Sequence, residues 1–149
     1  MSMKNVFITG VTGFIGGQLC SSLLAEGYCI WVLVRAMNKE EAKKRVMTRI
    51  ERKRGRLGRR LNIVLGDLQK KGLGINDIAR KVLSERCNYV IHCAGETRFN
   101  KHPYSYEVNI SGTKNLINEV AQWYCIGSAG IGQSAFPVKL LFLPSAIGF

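Results

Sequence analysis

Asn5-Val-Phe-Ile-Thr-Gly-Val-Thr-Gly-Phe-Ile-Gly16 is the stretch that decides the fold. The apolar run from Val6 to Ile8 is typical of a parallel strand that is covered on both faces. Of the glycines that follow, Gly10 permits a tight turn, Gly13 lets the backbone approach a diphosphate, and Gly16 lets the next helix pack closely. The stretch therefore predicts a strand, a glycine-rich turn and a helix whose N-terminus faces an anion.

The rest of the chain, as far as Cys93, alternates candidate strands and helices, which predicts parallel strands joined by right-handed crossovers. The predicted strands are Asn5–Thr9, Cys29–Val34, Leu61–Leu65, Asn88–Cys93 and Val138–Leu143. The predicted helices are Gly13–Glu26, Lys39–Arg54, Ile75–Arg86 and Tyr104–Trp123. Together they predict an α/β fold, the N-terminal portion of a doubly wound parallel sheet with about five strands in the order 3-2-1-4-5. A ligand crevice is then expected at the carboxyl ends of the first and fourth strands.

Composition indicates one domain with its own core, since the chain has 149 residues and 46% of them are hydrophobic. Its five cysteines form no C-x-x-C pair, and we expect them to be reduced core residues. No basic-then-apolar leader precedes the first strand, and no apolar run approaches the roughly 20 residues that a membrane helix needs. These observations predict a cytoplasmic protein without a membrane span.

The net charge of +12 is strongly basic, and about half of the lysines and arginines lie between Lys39 and Arg60. In the same segment Ala42, Val46 and Ile50 recur at four-residue spacing, which predicts a helix with one packing face. We interpret the charge as the solvated side of an outer helix, with a surface for an anionic partner as the alternative. Nucleic acid is an unlikely partner, because no reading-head motif or aromatic stacking pattern accompanies the charge.

Arg35 stands at the end of the second strand, where a site for NAD usually offers an acidic residue to the ribose hydroxyls. An arginine there suits a 2′-phosphate instead, which favours NADPH over NADH. Arg45, on the following helix, is a second candidate for the same phosphate.

The third and fourth strands are also followed by informative residues. Asp67 can accept a hydrogen bond from an adenine amino group, or it can simply form a turn. The small residues Cys93, Ala94 and Gly95 let the backbone pass close to a cofactor ribose, whereas His92 is expected to be packed or partnered rather than catalytic. Neither His92 nor the chain's other histidine has metal-ligand spacing to a second histidine or cysteine.

Several motifs of the chain agree with one known family in order and in spacing. They are Thr9-Gly-Val-Thr-Gly-Phe-Ile-Gly16, Val32-Leu-Val-Arg35, Gly66-Asp-Leu68, Val90-Ile-His-Cys-Ala-Gly-Glu-Thr-Arg-Phe99 and Glu107-Val-Asn-Ile-Ser-Gly-Thr113. The chain from about Lys4 to Trp123 resembles the extended short-chain dehydrogenase/reductases. More narrowly, it is similar to the branch of fatty acyl-CoA reductases and thioester reductase domains, whose NAD(P)-binding domain is called male-sterility-like. The basic helix after Arg35 and the segment from Thr97 to Phe99 point to that branch.

The resemblance implies a Rossmann-like fold and the reduction of an acyl thioester, on coenzyme A or a carrier protein, by NADPH to an aldehyde or alcohol. It also implies a set of cofactor contacts: Gly10, Thr12, Gly13, Phe14, Ile15, Gly16, Arg35, Arg45, Asp67, Leu68, Cys93, Ala94, Gly95 and Thr113. Asn109 matches the helix asparagine to which the family often gives a water-relay role. Ser145 falls about where the family has a catalytic serine or threonine.

The catalytic Tyr-x-x-x-Lys pair of that family is absent, because no tyrosine of the chain has a lysine four positions later. Pro144 and the connection Cys125–Pro137 also depart from the family. We therefore expect an NAD(P)-binding domain that is incomplete at its C-terminus, without the catalytic helix and the substrate lobe, and inactive alone.

Two other functions remain open at this point. One is a non-catalytic remnant that binds a dinucleotide or a partner. The other is a relative of sugar-nucleotide epimerases and dehydratases, which share the glycine-rich start but which the basic helix after Arg35 makes less favoured.

Overall fold

The five strands in the part of the chain that the structure describes form one parallel sheet. The computed structural model describes residues 4–50, 59–95, 107–128 and 139–142. Its strands are β1 (Asn5–Thr9), β2 (Cys29–Val34), β3 (Leu61–Leu65), β4 (Tyr89–His92) and β5 (Lys139–Phe142). They are arranged in the order β3-β2-β1-β4-β5, and each neighbouring pair is parallel. The predicted doubly wound, Rossmann-like sheet is therefore confirmed, with β1 at its centre.

The helices lie between these strands in the chain. They are α1 (Phe14–Ala25), α2 (Lys39–Met47), α3 (Asp77–Arg86) and α4 (Gly112–Ser128), and a single π-helical turn at Glu107–Ser111 leads into α4. The predicted end of α4 at Trp123 is wrong, because the helix continues to Ser128.

The start of α3 and the end of α2 differ from the positions that the sequence pattern predicted. α3 begins two residues later than predicted, because the side chain of Asn76 caps it by accepting a 2.8 Å hydrogen bond from the backbone N–H of Ala79. α2 ends at Met47 rather than Arg54, and the hydroxyl of Thr48 donates to the carbonyl of Arg45 over 2.8 Å. Residues 51–58 lie outside the described part of the chain.

Helices cover both faces of the sheet, which explains why most strand residues are apolar on both faces. On one face, α1 and α2 pack against Val6, Ile8 and Val32. On the other, α3 and α4 pack against Phe7 and Val90, and the ring of Phe7 meets that of Trp123 edge-on with centroids 5.5 Å apart.

The predicted packing face is confirmed, since Ala42 and Val46 of α2 and Ile50, three residues after its end, are all buried. In α1 the most buried residues are Gly16, Gly17, Cys20 and Leu24. Within the described residues, no helix is long and apolar enough to cross a membrane.

Candidate functional site

The glycine-rich turn after β1 is packed at two points where a side chain has no room. Gly10 has a φ of +83°, and a Cβ there would lie 2.5 Å from the backbone nitrogen of Ala94. A Cβ on Gly16 would lie only 2.3 Å from the carbonyl oxygen of Gly10. Glycine at these positions therefore brings the end of β1, the segment after β4 and the first turn of α1 into direct contact.

The N-terminus of α1 lies directly after this turn and has no side-chain cap. Gly13 is its N-cap, with no side-chain capping bond and no acidic residue in the first turn of the helix. The backbone N–H groups of the first helical residues, which have no partner within a helix, carry the positive end of the helix dipole. This arrangement suits a bound anion.

A cavity of about 660 Å³ lies at the carboxyl ends of β1 to β4. This volume is in the range of small-molecule and cofactor sites. Among its lining residues are ten that the sequence predicted as cofactor contacts: Gly10, Thr12, Gly13, Arg35, Arg45, Asp67, Leu68, Cys93, Ala94 and Gly95. The predicted contacts that do not line it are Phe14, Ile15, Gly16 and Thr113. Phe14 is 77% exposed and lines a neighbouring cavity of about 280 Å³.

Three arginines gather on one side of the main cavity. Arg35 and Arg45 were expected there, and the guanidinium of Arg45 donates to the backbone carbonyl of Arg35. Arg49 was missed, although it lines both cavities. It packs against α1 at Gly17, where an added Cβ would lie 3.1 Å from the Cβ of Arg49. The signal in the sequence is its spacing of four residues from Arg45, which places both on one side of the helical turn.

Asp67 lines the same cavity at the end of β3. Its Oδ1 accepts a 3.0 Å hydrogen bond from the backbone N–H of Gln69, and its own N–H donates to the carbonyl of Leu73 over 2.8 Å. Asp67 thus forms a turn, as one of the two interpretations proposed. Its contact with adenine remains a prediction, and Gln69, which also lines the cavity, was not foreseen.

His92 is buried between two threonines, as a partnered histidine should be. Thr113 Oγ1 donates to the carbonyl of Asn109 over 2.7 Å and lies 3.0 Å from His92 Nε2. Thr113 therefore accepts from Nε2–H, which leaves Nδ1 to accept from the hydroxyl of Thr9 at 2.6 Å. The hydroxyl of Thr113 is thus hydrogen-bonded to His92 of β4. Asn109 is exposed. Ser145 lies outside the described residues.

The free energy of unfolding is expected to fall as the pH is lowered from about 7 to 5. Burial lowers the pKa of His92, so the unfolded chain takes up a proton at a higher pH than the folded chain does. Stability is then lost below about pH 6.5, by at most about 1.4 kcal/mol per pH unit. Urea unfolding across this range measures the slope.

His92→Gln is expected to flatten that slope, because it removes the buried titrating group. His102→Gln changes the chain's other histidine and gives the matched comparison, in which the slope persists. An unchanged slope in His92→Gln contradicts the description of His92 as a buried neutral base.

A central β1, a glycine turn at the start of α1 and a cavity at the strand ends define a dinucleotide-binding domain of the Rossmann type. The chain belongs to the NAD-binding family described as male sterility protein, which matches residues 8–125. The family predicted from the sequence motifs is confirmed.

Its relatives include reductases and an epimerase. The chain is 31% identical to the fatty acyl-CoA reductase wat of Drosophila melanogaster, over 76% of this chain and 24% of that protein. It is 30% identical to a bifunctional UDP-glucose 4-epimerase and UDP-xylose 4-epimerase of Arabidopsis thaliana, over 82% of this chain and 34% of that protein. The chain thus spans about a quarter of the length of the first relative and about a third of the second.

Among solved structures, the terminal R domain from the myxalamid PKS-NRPS biosynthetic pathway is similar, with a TM-score of 0.71 and 25% identity. The match covers 83% of this chain and 33% of that domain.

Proposed function

We propose that this chain is the NADPH-binding part of a reductase that acts on acyl thioesters, giving an aldehyde or an alcohol. The observation that supports it most is the cavity itself, which joins the N-terminus of α1 to a cluster of three arginines. NADPH has two separate anionic groups that match these two places: its diphosphate suits the N-terminus of α1, and its 2′-phosphate suits the arginines.

The diphosphate is proposed to lie at the first turn of α1, against the backbone N–H groups of Phe14 and Ile15. The glycines of the turn support this placement of the diphosphate. A side chain at Gly10 or Gly16 would overlap neighbouring backbone atoms and displace the turn that borders the first turn of α1. Cys93, Ala94 and Gly95 then lie beside the ribose, and Asp67 with Leu68 beside the adenine.

The 2′-phosphate is proposed to bind Arg35 and Arg49. Arg45 is proposed to have a structural role instead, because its guanidinium donates a hydrogen bond to the backbone carbonyl of Arg35 and so positions the end of β2. Charge-assisted contacts of guanidinium with phosphate are the strong class of hydrogen bonds, which favours NADPH over NADH.

The residues described bind and orient the cofactor, and the proton donor of the reaction has to come from elsewhere. When bound, NADPH supplies a hydride to the thioester carbonyl, and loss of the thiolate, which takes up a proton, leaves an aldehyde, NADP⁺ and a free thiol. The oxyanion formed by hydride addition needs a hydrogen-bond donor, and the departing thiolate needs a proton; the related reductases are expected to supply both from Tyr-x-x-x-Lys. No such pair occurs in these 149 residues.

Incubating the chain with NADPH and octanoyl-CoA is therefore expected to release no free thiol and to oxidise no cofactor. The absorbance of the reduced nicotinamide and a thiol reagent measure the two products in parallel, with the Arg35→Ala chain as a blank that is impaired in binding. Thiol release in step with NADPH oxidation would contradict the role given to the missing pair.

The Arabidopsis relative favours a second candidate, a sugar-nucleotide epimerase or dehydratase domain. A domain that binds NAD has no need of an arginine for a 2′-phosphate. Preference for NAD over NADP, together with binding of a UDP-sugar, would support it against the thioester reductase.

We propose the cytoplasm as the location of the protein. Cys20, Cys29, Cys87 and Cys93 are free thiols, as suits a reducing compartment. Burial raises the pKa of Cys20 to about 12 and also raises the pKa of Cys87, so these two thiols are poorly reactive.

A further inference from the structure

The loop between β3 and α3, residues 66–76, forms one wall of the cavity with Asp67, Leu68 and Gln69. Three successive residues of this β3–α3 loop, Gly72 to Gly74, have φ values between +56° and +63°. The middle one is a buried leucine, Leu73, for which this left-handed backbone is unfavourable. Such a conformation persists only where the surroundings hold it.

A hydrogen bond from helix α4 stabilises the β3–α3 loop directly. The side-chain Nδ2 of Asn115 donates a 2.8 Å hydrogen bond to the carbonyl oxygen of Leu68. Leu68 lines the cavity, whereas Asn115 does not. This contact therefore connects α4 to the wall of the cavity without reaching the cavity itself.

A buried ion pair is the second contact that stabilises the β3–α3 loop. Glu119 of α4 has a fully buried side chain, and its Oε1 accepts a 2.6 Å hydrogen bond from Nε of Arg80 and a 3.0 Å bond from the indole N–H of Trp123. Nη2 of the same arginine is 3.5 Å from the carbonyl oxygen of Gly72. An ion pair thus joins α4 to α3 next to the positive-φ residues of the loop.

Crowding around Gly72 shows how closely the ion pair approaches the loop. A Cβ at Gly72 would lie 2.9 Å from Nη2 of Arg80 and 3.5 Å from Oε2 of Glu119. Among the described residues this Oε2 atom is buried without a hydrogen-bond partner. Because a buried carboxylate is costly without its cation, Glu119 keeps Arg80 fixed in this position.

We propose that Asn115 and Glu119 are positioning residues for the adenosine half of the dinucleotide. Asn115 holds the loop at Leu68, and Glu119 holds it at Gly72 through Arg80. The proposal rests on the proposed function, since it takes the β3–α3 loop as the adenine wall. Adenosine is common to NADPH and NADH, so disturbing this support weakens both dinucleotides by the same factor.

The test measures the dissociation constants of NADPH, NADH and 2′,5′-ADP for the whole chain and for the variants Asn115→Ala and Glu119→Gln. Each variant is expected to bind all three ligands about three- to tenfold more weakly, with an unchanged ratio of NADPH to NADH affinity. Calorimetry well below the unfolding temperature of each variant confines the measurement to folded protein, so a loss of stability alone leaves the affinities unchanged.

Asp77→Asn is the matched control. Asp77 also pairs with Arg80, at 2.6 Å, but its side chain is 98% exposed, and Arg80 keeps its hydrogen bond to the buried Glu119 without it. This variant is expected to bind all three ligands like the wild type.

Unchanged NADPH affinity in either folded variant overturns the proposal, as does a loss of NADPH affinity with NADH affinity retained. Asn115 is only half-buried, so Asn115→Ala decides the question even if Glu119→Gln does not fold. Failure of the proposed function is a separate result, because the wild-type chain itself would then bind neither dinucleotide.

Discussion

Gly16→Ala is expected to destabilise the chain by about 3 kcal/mol or more. The new Cβ would lie 2.3 Å from the carbonyl oxygen of Gly10 and 2.7 Å from its carbonyl carbon. The backbone at Gly10 has little freedom to retreat, since it is itself packed against Ala94. Urea unfolding followed by circular dichroism measures the change in the free energy of unfolding.

Gly13→Ala is the matched control for this prediction. A Cβ at Gly13 meets only the carbonyl oxygen of Gly10, at 3.3 Å, so a small shift accommodates it. We expect a stability change below about 1 kcal/mol. The bulkier Gly13→Val should abolish measurable NADPH binding, because it fills the proposed diphosphate site. Wild-type stability in Gly16→Ala would show that the turn and α1 are not packed as described.

Arg35→Ala is expected to weaken NADPH binding about tenfold to a hundredfold while changing NADH binding less than about twofold. The variant removes a guanidinium at the end of β2 whose proposed ligand, the 2′-phosphate, is missing from NADH. Arg49→Ala should show the same selectivity, because Arg49 lines the same side of the cavity. Titration calorimetry at a fixed ionic strength compares the two dinucleotides.

Lys44→Ala controls for the general loss of positive charge. Lys44 is exposed on α2 and does not line the cavity, so its removal should change the affinity for either dinucleotide less than about twofold. Equal losses for NADPH and NADH in Arg35→Ala would contradict a specific contact with the 2′-phosphate.

Most of the fold could be predicted because its strands are short, apolar and bounded by turn residues. The bounds of β1, β2 and β3 agree with the prediction, and the strand order follows from crossover rules that apply to any such series. The ends of α2 and α4 were misplaced. The exact end of a helix is weakly specified by sequence, because the apolar and charged pattern of the helix continues past the last helical residue.

The candidate site was predictable where it depends on position along a strand. Arg35 and Cys93 directly follow β2 and β4, Asp67 lies two residues past the end of β3, and parallel strands bring their carboxyl ends together. Arg49 was missed because it lies in a long basic run, where only its four-residue spacing from Arg45 separates it from the neighbouring cations.

Contacts between distant elements were not predictable. Thr113 was expected at the cofactor, but its hydroxyl bonds to His92 and the carbonyl of Asn109. Glu119 gives no signal in the sequence, because only the packing of α4 against α3 brings Arg80 to it.

The cavity between the first turn of α1 and the three arginines is proposed to bind a dinucleotide through its phosphates. The most direct test is a calorimetric titration of the unmodified chain with NADPH and, under identical conditions, with NADH. We expect one NADPH per chain, bound more tightly than NADH. Tighter binding of NADH, or no binding of either dinucleotide, would contradict the account.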